Sequence, residues 1–172
     1  MKIGLGVVGA VLVLIVAVLG WLGALGSVAV IEREMGPYRF VYVQEASSDS
    51  AKVGELTHAL GERLEAAGFT QRRAAQEYYP TGRGIQNQIG FMVDRPVGLD
   101  VLGMETFFRE VPAQRFMVVS FPYRNRLSFA VGAMRALPAL RAHRAQQKYA
   151  EPSTMVILEG DRILYLESIS PA

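Results

Sequence analysis

The sequence predicts an α+β fold: two tandem strand-helix-strand-strand units forming one antiparallel sheet with two helices, preceded by one transmembrane helix. Three observations predict it. A charge-free run fills residues 3–31; beyond it the apolar period switches between two and helical spacing, twice in the same order; and glycine, proline and short polar runs mark the changes. The 172 residues suit one modest domain behind the first run.

No charged residue occurs from Ile3 to Ile31. As one helix this run would rise about 43 Å at about 1.5 Å per residue, more than the about 30 Å of a bilayer's hydrocarbon core. Lys2, Ala24 and Gly26 resemble the flanks of a cleaved signal peptide, but an h-region of about 7 to 15 residues would suffice for that. A retained signal anchor over 1–31 is therefore expected, with the domain over 32–172. Lys2 precedes the run and Glu32, Arg33 and Glu34 follow it, which favours a cytoplasmic amino terminus. The expectation is a single-pass membrane protein, partnered with the lipid bilayer through residues 3–31, its domain on the extracytoplasmic side.

Of 18 basic side chains only Lys2 precedes residue 32, so the domain carries 17 against 16 acidic ones. That balance gives no footprint for nucleic acid. Absence of cysteine excludes a disulfide scaffold, a cysteine-ligated metal and a lipidated cysteine. His58 and His143 are far apart in the pattern and read as surface histidines, so no metal is expected. There is no G-x-S-x-G elbow, and "GRG" at 82–84 lacks the spacing and lysine of a phosphate loop. No cofactor is expected and no catalytic residue is assigned.

The first unit opens with "YRFVYVQEA" (38–46), where Tyr38, Phe40 and Tyr42 alternate with Val41 and Val43 as in a strand. Val53, Leu56, Leu60, Leu64 and Ala67 then recur at helical spacing, with Ser and Asp ahead as caps and Gly68 behind as the C′ residue. "QRRAAQEYYP" and "NQIGFMVDR" read as two strands joined through "TGRG". In the second unit Pro112 marks a bend before an apolar strand from Phe116 to Phe121. A helix follows from near Ser128 through residue 150, with a kink or a restart at Pro138. On it Arg141, Arg144 and Lys148 share a face near Arg135 and read as solvated. "STMVILEG" and "RILYLESI" close the chain as a hairpin through "EGDR".

In the last strand, Ile163, Tyr165, Glu167 and Ile169 share a face. A carboxylate among such neighbours has two readings. With Tyr165, and with Tyr78, Tyr79, Phe91, Tyr42 and Tyr123 on neighbouring strands, Glu167 supplies one negative charge among aromatic faces, the ingredients of a cation site. Alternatively it sits at the sheet rim paired to an arginine, and the aromatics fill an ordinary core.

"GPYRFVYV", "EYYPTGRG", "QIGFMV", "REVPAQRFMVVSF" and "ESISPA", in this order, resemble landmarks of the GyrI-like small-molecule-binding domain, also called the bacterial effector-binding domain, over about residues 35–172. The resemblance implies a duplicated fold with a pocket between the units for hydrophobic, frequently cationic molecules. It also implies a pocket glutamate four residues before a proline, the place of Glu167 before Pro171. Ile169 stands where many members have an aromatic residue, and Ser168 replaces a usual aliphatic. The function expected is a membrane-anchored small-molecule-binding module for a hydrophobic or cationic ligand held between the repeats. The alternatives are a membrane-tethered protein-interaction adaptor, or a hydrolase of strained electrophiles of the kind some GyrI-like proteins are, with Glu167 as general base.

Overall fold

The computed structural model describes residues 2–45, 50–70, 72–81, 84–98, 102–103 and 105–170. An α-helix, α1 (Lys2–Trp21), is followed by β1 (Ile31–Met35), β2 (Tyr38–Glu45), α2 (Ser50–Ala66), β3 (Arg72–Thr81) and β4 (Gly84–Val93). The second half repeats the order as β5 (Phe107–Val111), β6 (Gln114–Pro122), α3 (Leu127–Gln147), β7 (Thr154–Glu159) and β8 (Arg162–Ser168). The expected α+β duplication is thus present, with an extra short strand opening each unit. α2 ends at Gly68 (φ +84°), where the Phe69 and Gly68 amides donate to Leu64 and Glu65 carbonyls, a glycine-closed C-cap. The capping residues expected at 47–49, the turn residues 82–83 and Pro171 lie outside the described residues. Pro138 lies inside α3, which continues as one element.

All eight strands form one antiparallel sheet in the order β1-β6-β8-β7-β3-β4-β2-β5. Exchanging β1 with β5, β2 with β6, β3 with β7 and β4 with β8 reverses this order, so the sheet has a pseudo-twofold axis between β3 and β7. The register obeys the same exchange: Arg33 pairs with Phe116 as Arg109 pairs with Phe40. The opening strands cross over, β1 pairing with β6 of the second unit and β5 with β2 of the first.

Side-chain alternation divides the core. One face carries Tyr38, Phe40, Tyr42, Val118, Ile157, Leu164 and Leu166, over which the sheet curls. The other face is covered by helices: α2 lies over Val41, Val43, Ile89 and Phe91, and α3 over Met117, Val119, Phe121 and Tyr165.

The amino-terminal expectation requires correction. Among the described residues no helix is long and apolar enough to cross a membrane, so the single-pass anchor, its extracytoplasmic domain and a bilayer contact through residues 3–31 are not supported. The charge-free run is also not the single helix expected of it. α1 stops at Trp21, and the next ten residues belong to the folded protein. Leu22 is 3% exposed, Gly23 packs on Pro122, and the Arg135 guanidinium donates to the Gly26 carbonyl at 2.8 Å. Val28 and Val30 pack into the core under α3, and Ile31 begins β1. Burial against protein accounts for Leu22, Val28 and Val30, while Leu25 and Ile31 remain exposed.

Candidate functional site

The units meet at β3 and β7, where no helix lies directly over the sheet's axis. Ala74, Gln76 and Tyr78 of β3 and Thr154 and Val156 of β7 face the gap between α2 and α3. A cavity of about 490 Å³ results. Thr57 closes it from α2, while Phe129, Ala133, Leu137 and Arg141 line it from α3 at every fourth residue, one ridge inclined to the helix axis. Ile89 and Tyr165 complete the floor on either side of the axis.

Close approach of α3 to β8 sets the depth of this wall. Gly132 allows it, since a Cβ there would lie 2.5 Å from Tyr165 Oη and 2.9 Å from Phe121 Cδ1. The Tyr165 hydroxyl donates to the Phe129 carbonyl at 2.7 Å, so it is engaged by the helix backbone. Burial pushes the Tyr165 and Tyr78 phenols up, which keeps both rings neutral at ordinary pH.

Glu167 is 3% exposed and lies just behind this cavity. Arg144 Nη1 donates to Oε2 at 3.1 Å, and Thr154 Oγ1 donates to Oε1 at 3.2 Å. Desolvation is the largest influence and raises its pKa, against opposing pulls from Arg144, Thr154 and the more distant Arg141. Its pseudo-symmetry mate explains its setting. Met117, Glu167 and Thr154 stand side by side across β6, β8 and β7, as Val41, Phe91 and Ala74 do across β2, β4 and β3. Where the first unit packs Phe91 against Gly61 of α2, the second has an acid held by an arginine of α3.

The structure brings together only part of the aromatic set. Tyr78 and Tyr165 line the cavity, whereas Tyr123 packs edge-on to Phe129 at 5.5 Å and is not part of the lining. Phe91 belongs to the core under α2. Tyr42 is on the opposite face, stacked with Phe40 and Phe107. The side chain of Tyr79 lies outside those described. Sequence reasoning missed Arg144 and Thr154 as the partners of Glu167, and the α3 stripe as a wall. The i, i+4, i+8, i+12 spacing of Phe129, Ala133, Leu137 and Arg141 was a usable signal for the wall.

Two further carboxylates are built into the fold. Glu77, on the curled face, is held by Arg109 and by the Ser153 hydroxyl at 2.6 Å. Glu32 of β1 accepts from Tyr149 at 3.1 Å and Arg115 at 2.8 Å, and bonds His143 at 2.9 Å. His143, expected at the surface, therefore fastens α3 to the edge strand. Among the described residues no group of three His, Cys, Asp or Glu is placed to hold a metal ion.

No protein-family model matches the sequence, and no curated protein matches it. Solved structures do resemble it. The EcmrR C-terminal domain is 14% identical with a TM-score of 0.54, covering 85% of this chain and 98% of its own. A hydrolase from Listeria innocua is 9% identical with a TM-score of 0.53, covering 82% and 91%. SAV2435 bound to tetraphenylphosphonium is 8% identical with a TM-score of 0.51, covering 83% and 94%. Such identities establish likeness of fold alone.

Proposed function

We propose that this chain is a small-molecule-binding protein whose ligand is largely apolar and lies between the two units. The observation that carries the reading is the cavity of about 490 Å³ over β3 and β7, within the range of about 300–1,000 Å³ usual for small-molecule sites and mostly apolar in its lining. The likeness to SAV2435, solved with a lipophilic ion, supports the same reading. Tyr78 and Tyr165 offer ring faces as walls, and Gln76 and Thr154 supply polar edges. Glu167 acts from behind, holding Arg144 and Thr154 in place. A cation seated directly on Glu167 would have to displace Arg144, and Arg141 on the lining opposes it further.

The test is titration of the full chain with tetraphenylphosphonium and the neutral triphenylphosphine oxide, followed by calorimetry. Binding of the neutral compound at one site, abolished by Ala133→Phe while the thermal midpoint stays within a few degrees, is expected. Unchanged binding in Ala133→Phe removes the cavity as the site.

A further inference from the structure

The α3 stripe is chemically graded. Phe129, Ala133 and Leu137 are apolar and Arg141, one turn further, is cationic, so the wall runs from aromatic to guanidinium over about 18 Å at about 1.5 Å per residue. The two arginines at the polar end have different duties. Arg144 is engaged by Glu167 at 3.1 Å and by Glu151 at 3.7 Å. Arg141 is exposed at the cavity and, among the described residues, forms no ion pair. Glu167 and Glu151 pair directly with Arg144 and Glu167 acts on Arg141 only at longer range, so among the described residues Arg141 is the cation that faces the cavity without a direct ion pair.

We infer that the cavity takes an anionic amphiphile, a carboxylate with a hydrocarbon body, its head at Arg141 and its body along Leu137, Ala133 and Phe129. This inference rests on the binding role proposed for the cavity. A guanidinium suits such a head through paired N–H donors, and the amide of Gln76 opens into the same space. The helix dipole acts the other way, placing about half a negative charge at the end of α3. A full charge on Arg141 exceeds it, and Lys148 caps that end with a second cation.

Three probes of one chain length separate the contributions: octanoate, octan-1-ol and octyltrimethylammonium, titrated into the full chain at low salt. Octanoate is expected to bind about tenfold tighter than the alcohol, the size of effect a charge-assisted pair supplies, with the ammonium weakest. Arg141→Gln is expected to erase the octanoate advantage, read as the ratio of octanoate to octanol affinity in each protein. Octanol binding with no octanoate preference, or a preference that survives Arg141→Gln, overturns the anionic head while leaving the cavity as a binding site. Failure of all three probes, or equal binding of all three in Ala133→Phe, overturns the binding role and this inference with it.

Discussion

Burial pushes the Glu167 carboxyl up, whereas the hydrogen bond with His143, helped by Tyr149 and Arg115, holds Glu32 below the usual carboxylate range. The two acids therefore give stability opposite pH slopes. A group whose folded pKa is raised favours folding when protonated, so the contribution of Glu167 is present below the unfolded value of about 4.3 and is lost as pH rises through its raised folded value. For Glu32 the contribution is present above the unfolded value and is lost as pH falls through its lowered one. Urea unfolding between pH 3 and 7 should show wild type losing stability relative to Glu167→Gln as pH rises. Relative to Glu32→Gln, wild type should lose stability as pH falls; either slope with reversed sign refutes its assignment. The acid in the last strand was legible from alternation alone, as was its company with Ile163 and Tyr165. Its partner was not, because Arg144 lies 23 residues away on a helix whose rotation the sequence leaves open. The basic residues Arg141 and Arg144 read equally well as a solvated face.

Helix glycines show how packing overrides propensity. Alanine normally favours a helix interior over glycine by about 1 kcal/mol. A Cβ at Gly54 of α2 would meet nothing within 4 Å, so Gly54→Ala should raise stability by about 0.5–1 kcal/mol. Gly132 of α3 faces the ring of Phe121 and the anchored hydroxyl of Tyr165, both in the buried core, so Gly132→Ala should cost about 1–3 kcal/mol through overpacking. Chemical denaturation of both variants decides this, and a gain at Gly132 would mean that α3 shifts freely on the sheet. α2 follows from its periodic apolar face, whereas α3 buries Ser128, Gly132, Ala136 and Leu140 and exposes Leu127 and Met134, so its length rather than an apolar face made it legible. Six of the eight strands follow from alternation and turn residues. The exceptions, β1 and β5, are five-residue edge strands reading "IEREM" and "FFREV", whose charges protect an exposed edge and erase the alternation signal. Burial against the folded protein accounts for Leu22, Val28 and Val30 of the charge-free run, whereas Leu12, Val13 and Leu14 of α1 stay exposed, so burial does not explain the lack of charge in the helix.

At the scale of the whole chain, duplication joins the units through exchanged strands. Neither half contains the partner of its own opening strand, because β1 hydrogen-bonds to β6 and β5 to β2, while β3 and β7 close the sheet's centre. A fragment ending at residue 98 would leave β1 unpaired and expose the cavity-facing side of β3; one beginning at 102 would do the same to β5 and β7. Isolated short sheets bury too little apolar surface to offset chain entropy. Each fragment alone should therefore be largely unfolded by circular dichroism and hydrogen exchange. Mixing the two in equal amounts should restore the cooperative melt, and a ligand of the cavity should shift that melt upward in proportion to the logarithm of its concentration. The cavity is assembled from β3, β4 and α2 of one fragment and β7, β8 and α3 of the other, so binding by either fragment alone contradicts its placement between the units.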